Sequence, residues 1–179
     1  FASTYIQPGA GSWGEFDYSR SGNPTRSGLE KTLASLESGC GALAFASGMA
    51  ATHCATMLLK SRDHILAGSD IYGGTYRLLH KVLNQSNLEV TLAPSNDLDQ
   101  FAAALEPRTR LVWIETPGNP LMSITNIKAC AEIAHQHGAL LGVDSTFATP
   151  VLTRPLELGA DIVMHSATKY LGGHSDVLG

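Results

Sequence analysis

The sequence predicts an α/β fold: a mostly parallel sheet with helices on both faces. Three observations carry this. Six short apolar or β-branched runs recur along the chain, stretches of helical spacing separate them, and glycine-rich or polar turns follow the runs directly. Strands that alternate with helices need crossover connections, and these favour parallel neighbours buried on both sides.

Residues 1–27 contain Gly9, Gly11, Gly14, Gly22, Pro8 and Pro24 with little periodicity and read as an arm. Ser27-Gly28-Leu29-Glu30 then has the spacing of a capping box, and Leu29, Leu33 and Leu36 recur at helical intervals, so a helix is expected to start there and stop near Gly39. The expected strands are 42–46, 64–67, 89–93, 111–115, 140–144 and 162–165. Among the connecting helices, one presents Leu98, Phe101, Ala102 and Leu105. Another presents Ile127, Cys130, Ala131 and Ala134 and is stopped by Gly138.

Composition narrows the function classes. The 179 residues suffice for one ordinary domain with a core. Hydrophobic residues make up 44% and charged residues 16%, which excludes a disordered chain. Twelve Lys and Arg against sixteen Asp and Glu leave a formal charge of −4, so no basic face for nucleic acid is expected. No apolar run approaches the roughly 20 residues needed to span a bilayer. Cys40, Cys54 and Cys130 are few and widely spaced, which points to reduced thiols and a cytoplasmic setting rather than disulfides or zinc. The chain opens at Phe1 without a leader pattern and is expected to be a piece of a longer protein.

In open parallel sheets, ligands bind beyond the carboxyl ends of the strands. Five such positions carry polar or special residues: Ser47-Gly48-Met49, Asp70-Ile71-Tyr72-Gly73-Gly74, Thr116-Pro117-Gly118-Asn119-Pro120, Asp144-Ser145-Thr146 and Ser166-Ala167-Thr168-Lys169. Lys169 offers an amine that becomes nucleophilic when desolvated or placed near another cation. Asp144, at a buried strand end, needs a partner, and a pyridinium nitrogen is one. Gly48 and Met49 at a helix start offer free amides to a phosphate, and Ser166 and Thr168 offer hydroxyls. Aldehyde, pyridine nitrogen and phosphate together match pyridoxal 5'-phosphate (PLP). Taken singly, each residue has a plainer reading: a solvated lysine, a turn-capping aspartate, a helix cap.

Several segments then resemble the Cys/Met-metabolism family of PLP enzymes, which includes cystathionine γ-lyase, γ-synthase and β-lyase and methionine γ-lyase. They are Tyr18-Ser19-Arg20-Ser21-Gly22-Asn23-Pro24-Thr25, Ser47-Gly48-Met49-Ala50-Ala51, Tyr72-Gly73-Gly74-Thr75, Glu115-Thr116-Pro117-Gly118-Asn119-Pro120, and the stretch from Ser166 through Lys169 to Val177. The resemblance runs along essentially the whole chain. It implies that Lys169 holds the cofactor and shuttles protons, Asp144 pairs with the pyridinium and Tyr72 stacks on the ring and assists proton transfer. It also implies that Gly48, Met49, Ser166 and Thr168 hold the phosphate, that Asn119 sits near the 3'-oxygen, and that Tyr18 and Arg20 reach the phosphate of a neighbouring subunit in a homodimer or homotetramer. The implied organisation is an arm over 1–27 and a PLP-binding large domain over 28–179, with a substrate domain and its carboxylate-binding arginine still to follow. The implied reaction is elimination from cystathionine, with replacement on an O-acyl homoserine as the alternative. Ser145 stands where the family often has Asn, Gly118 where Ser or Thr is usual, and Gly74 where methionine γ-lyases typically carry Cys, which disfavours that member.

Other readings compete. Gly9-Ala10-Gly11-Ser12-Trp13-Gly14 matches a dinucleotide fingerprint but lacks the strand before it and the helix after it. Ser166-x-x-Lys169 matches the nucleophile motif of serine acyl hydrolases, without the companion S-D-N or K-T-G. His135-Gln136-His137 could suggest a metal pair, but positions two apart on a helix diverge. A non-catalytic piece used only for subunit interaction is the remaining alternative.

Overall fold

The structure, a computed structural model, describes residues 2–179. The chain divides into two compact units, Phe1–Ala44 and Phe45–Gly179.

In the first unit, two extended segments run antiparallel. The Tyr5 N–H donates to the Asp17 carbonyl at 3.0 Å and the Ser19 N–H to that of Ser3 at 2.9 Å, while the Tyr5 and Phe16 rings pack with centroids 5.9 Å apart. The Gly9–Gly14 stretch forms the turn between them, closed by the Ser12 N–H on the Gly9 carbonyl at 3.1 Å, so it is not the strand-turn-helix of a dinucleotide site. Helix α1 spans Pro24–Leu36. It starts three residues before the expected cap at Ser27, because Asn23 accepts hydrogen bonds from the Thr25 and Arg26 N–H groups and Pro24 supplies a preset φ at the first position. The leucine stripe of α1 is not buried, with Leu29 and Leu36 both exposed.

The second unit holds a five-stranded, all-parallel sheet in the order β2-β1-β3-β4-β5, formed by His64–Gly68 (β1), Glu89–Ala93 (β2), Thr109–Glu115 (β3), Leu140–Asp144 (β4) and Ile162–Met164 (β5). Five of the six expected strands are therefore present. The sixth, 42–46, is irregular: its alternate residues are alanines, poor β formers, and Leu43 is 75% exposed. Helix α2 (Gly48–Thr56) precedes β1, and between the strands lie α3 (Gly73–Arg77), α4 (Leu98–Ala103), α5 (Ile127–Gln136) and α6 (Thr149–Leu152). Helix α3 continues into a π turn at Leu78–Val82 and a 3₁₀ turn at Leu83–Ser86, and a second 3₁₀ turn covers Pro155–Leu158.

Alternation along the strands sorts the core into two layers. Leu66, Val112, Ile114, Leu141 and Val143 face Phe101 of α4 and Ile127, Cys130, Ala131 and Ala134 of α5. Ile65, Ala67, Leu111 and Trp113 face Leu78, Leu79 and Leu83. Gly142 of β4 lies against the Trp113 ring, and a Cβ there would fall 2.5 Å from ring carbon Cε3. None of the helices among the described residues is long and apolar enough to cross a membrane.

Candidate active site

Because every strand is parallel, all five carboxyl ends share one edge of the sheet. The chain moves from β1 outward to β2, then returns to place β3 on the other side of β1. The crevice between the ends of β1 and β3 is thus the topological switch point, where such sheets bind ligands. Tyr72, in the loop after β1, and Glu115, the last residue of β3, face each other across it: the Tyr72 N–H donates to Glu115 Oε2 at 2.5 Å.

Asp144 ends β4 directly beside Glu115, the two residues being paired in register. Its Oδ1 accepts from the Thr146 N–H at 3.0 Å and the Thr146 hydroxyl at 2.6 Å. Burial pushes its carboxyl above the ordinary range, against the opposing influence of the Thr146 donors, His165 and Lys169. Glu115 is pushed up to about 8, first by burial and then by the charge of Asp144, with the Tyr72 amide, Asp70 and the Asn119 side chain as smaller influences. Two dry carboxyl groups on adjacent strands make a site deficient in positive charge, and a docked cation would ionise Asp144 fully. A pyridinium nitrogen fits that need.

Lys169 is exposed, in the turn that follows β5, where its N–H donates to the Ser166 carbonyl at 3.1 Å. Gly48 opens α2, capped by the Ser47 side chain on the Ala50 N–H, and the amides of Gly48 and Met49 have no carbonyl to meet within the helix. Gly48 touches Ser166: a Cβ on Gly48 would fall 2.8 Å from that of Ser166. This glycine cradle leaves helix amides and a serine hydroxyl together, as an anion requires. Gly74 is buried under the Tyr72 ring and the Met49 sulfur, and a Cβ there would overlap the ring and lie 2.9 Å from Met49 Sδ. Residue 74 is glycine because the aromatic ring takes that space.

The structure thus brings together Gly48, Met49, Tyr72 and Ser166 through these contacts, and Asn119, Asp144 and Lys169 through the interactions of Glu115 and Asp144. Thr168 is turned elsewhere: its hydroxyl donates to the Gly179 carbonyl at 3.2 Å and accepts from the Gly179 N–H at 3.1 Å. Tyr18 and Arg20 belong to the first unit, with the Arg20 guanidinium stacked 5.1 Å above the Tyr18 ring. The two helix histidines go separate ways, His135 to Asp161 at 2.9 Å and His137 to the Glu106 carbonyl at 2.7 Å.

Three residues have no assigned task in the sequence reading, although each lies in a segment it marks. Glu115 holds Tyr72. Thr146 supplies both donors to Asp144. Asp70 binds the loop after β3 through the Leu121 N–H at 3.0 Å, the Ser123 N–H at 3.2 Å and the Ser123 hydroxyl at 2.6 Å. Burial raises the Asp70 pKa, but the Ser123 hydroxyl and the two amides outweigh it and hold the carboxyl below its ordinary value. Gly118 must be small because the Asp70 carboxylate occupies the place of its Cβ. An acidic residue closing an otherwise apolar buried run, as Glu115 does, was the available signal.

A parallel sheet with a lysine after one strand, a dry carboxylate ending its neighbour and an aromatic loop at the switch point suits one class of protein, the enzymes that use PLP on an α/β scaffold. Comparison with known proteins agrees. The profile of the family described as "Cys/Met metabolism PLP-dependent enzyme" matches residues 1–179. The chain is 51% identical to cystathionine gamma-synthase of Mycobacterium leprae and 49% identical to cystathionine beta-lyase MetC of Bacillus subtilis, covering 99% of this chain in both cases and 46% and 45% of those proteins. It superposes with a TM-score of 0.93 and 47% identity on the crystal structure of cystathionine gamma-lyase from Lactobacillus plantarum complexed with L-serine, covering 99% of this chain and 46% of that one. The chain belongs to the Cys/Met metabolism family of PLP-dependent enzymes, and it spans less than half the length of these relatives.

Proposed function

We propose that this chain carries the cofactor-binding half of a cytoplasmic PLP-dependent transsulfuration enzyme that acts on cystathionine by β- or γ-elimination. The observation that carries the reading is the buried Asp144 at the end of β4 together with Lys169 just beyond β5. Bound PLP supplies an aldehyde for amines and an electron-withdrawing pyridinium that stabilises negative charge on the substrate carbons. Asp144, fixed by Thr146, would pair with the ring nitrogen and keep it protonated. Lys169 would hold the cofactor through Nζ and move protons at the substrate carbons. Tyr72 would cover the ring and assist that transfer, Asn119 would sit near the 3'-oxygen, and the Gly48 and Met49 amides with the Ser166 hydroxyl would receive the phosphate, joined by the Thr168 hydroxyl once it leaves its bonds to Gly179.

The organisation follows the family resemblance. Residues 1–27 are an arm that presents Tyr18 and Arg20 to the cofactor phosphate of a neighbouring subunit, residues 28–179 belong to the PLP-binding domain, and the natural assembly is a homodimer or homotetramer. A second reading, γ-replacement joining an O-acyl homoserine to cysteine, stands level with the first by identity, since the synthase of Mycobacterium leprae and the cystathionine gamma-lyase of Bacillus subtilis are both 51% identical to this chain.

Product analysis of the natural full-length protein separates these readings. Incubation with cystathionine releases cysteine in γ-elimination and homocysteine in β-elimination; cystathionine formed only from an O-acyl homoserine plus cysteine makes the enzyme a synthase. Borohydride should fix a pyridoxyl group on Lys169 in the wild type and none in Lys169→Ala. A pyridoxyl group trapped elsewhere at wild-type level overturns the assignment of the lysine.

A further inference from the structure

Glu115 has no role in the reading above, yet it bonds to two of the residues that do and pairs in register with a third. It ends the central strand at 4% exposure. Its Oε2 receives the Tyr72 N–H at 2.5 Å, the Asn119 side chain hydrogen-bonds to it, and it is the register partner of Asp144. One side chain therefore bonds to the ring-covering residue and the residue assigned to the 3'-oxygen, and stands beside the residue assigned to the ring nitrogen. We propose that Glu115 is a positioning residue of the cofactor site, which fixes Tyr72 and Asn119 across the switch point and does so as a neutral carboxylic acid.

The neutral form follows from the arrangement. Two carboxyl groups at 4% and 5% exposure on paired positions of adjacent strands cannot both be ionised without a large repulsive and desolvation cost. A further carboxylate, Asp70, faces Glu115 from the loop after β1 and is kept ionised by its own donors. From the β4 side, Asp144 has the Lys169 ammonium, the His165 ring and the two Thr146 donors to stabilise its anion. Glu115 has only the Tyr72 amide and the Asn119 side chain. The proton therefore belongs on Glu115, and the single negative charge on Asp144. Burial raises both carboxyls, Glu115 to about 8, so it is the donors around Asp144, together with the positive charge that Glu115 lacks, that assign the proton. A neutral acid keeps the acceptor that Tyr72 needs while adding no second anion to compete for the ring nitrogen.

This inference rests on the PLP reading for its purpose, but not for its test. In the natural full-length protein, Glu115→Gln keeps a neutral acceptor and Glu115→Ala removes it. PLP titration followed by absorbance should place the Gln variant within about threefold of wild type and the Ala variant at least about tenfold weaker, as a lost buried acceptor implies. Thermal unfolding of the cofactor-free protein supplies a second readout. An acid whose pKa is raised by folding adds stability while it stays protonated. That stability is lost as pH rises from the ordinary 4.5 through about 8, so wild type should show a steeper decline than the Gln variant, which keeps only the part due to the raised carboxyl of Asp144. If the Gln variant binds PLP as poorly as the Ala variant, or both match wild type, or the decline in Gln is as steep as in wild type, the proposal is overturned. Should the Ala variant fail to fold, the Gln variant's affinity and melting profile decide alone. Wild type that binds no PLP would overturn the cofactor reading instead, while the cofactor-free melting comparison still decides whether Glu115 is a neutral acid.

Discussion

Asp144 and Glu115 are both carboxyl groups at the ends of neighbouring strands, and what surrounds each sets its role. Asp144 has donors and positive charges to hold an anion in place; Glu115 has mainly a backbone amide to hold. Steric room is set as tightly as charge. Gly74 lies beneath the Tyr72 ring and Met49 Sδ, so any side chain there must displace the ring. Gly74→Cys in the natural protein should weaken PLP binding by about tenfold, corresponding to overpacking of the order of 1–2 kcal/mol, without unfolding the domain. A titration with unchanged affinity would mean that the ring shifts at no cost to the site.

Among elements, β1 is held at both ends by side chains rather than by its ladder alone. At its carboxyl end Asp70 grips the loop after β3. At its amino end the fully buried His64 bridges both neighbouring strands, with Nδ1 2.8 Å from Thr109 Oγ1 of β3 and Nε2 3.0 Å from Thr91 Oγ1 of β2. Burial lowers the His64 pKa; Glu106, 3.6 Å from Nε2, and Glu89 oppose this, while Arg108 and His137 add to it. A base with a depressed folded pKa contributes stability that is present above its unfolded value of 6.5 and lost as pH falls toward the folded one. Melting temperatures measured at about pH 7.5 and about pH 5.5 should therefore differ more in wild type than in His64→Gln. Equal differences would show that the histidine carries none of the acid sensitivity.

At the scale of the whole molecule, the all-parallel order gathers the site residues, and the apolar layer beneath them keeps the strand ends in place. Phe101 is fully buried where α4 meets the sheet. Phe101→Ala should cost about 3–5 kcal/mol, seen as a lowered denaturant midpoint; a loss below about 1 kcal/mol would mean that α4 is not part of the cooperative core. Five strands and the α5 face Ile127, Cys130, Ala131 and Ala134 were legible in the sequence, because burial on one or both sides dictates composition and period locally. The irregular path at 42–46 and the Asn23 start of α1 were not, since an apolar run becomes a strand only if a neighbour pairs with it, and two possible caps compete through side-chain geometry. Lys169, Asp144, Tyr72 and Gly48 stood out in the sequence by type and by position after strands. The work of Glu115, Asp70 and Thr146 did not, because it depends on which strands lie side by side and on how much water reaches them. The sequence by itself determined the fold class, the family and the chemistry the site is equipped for, because these rest on residue types at short spacing. The tertiary structure alone decided which carboxyl group keeps its proton, since that turns on distances and burial between residues far apart in the chain.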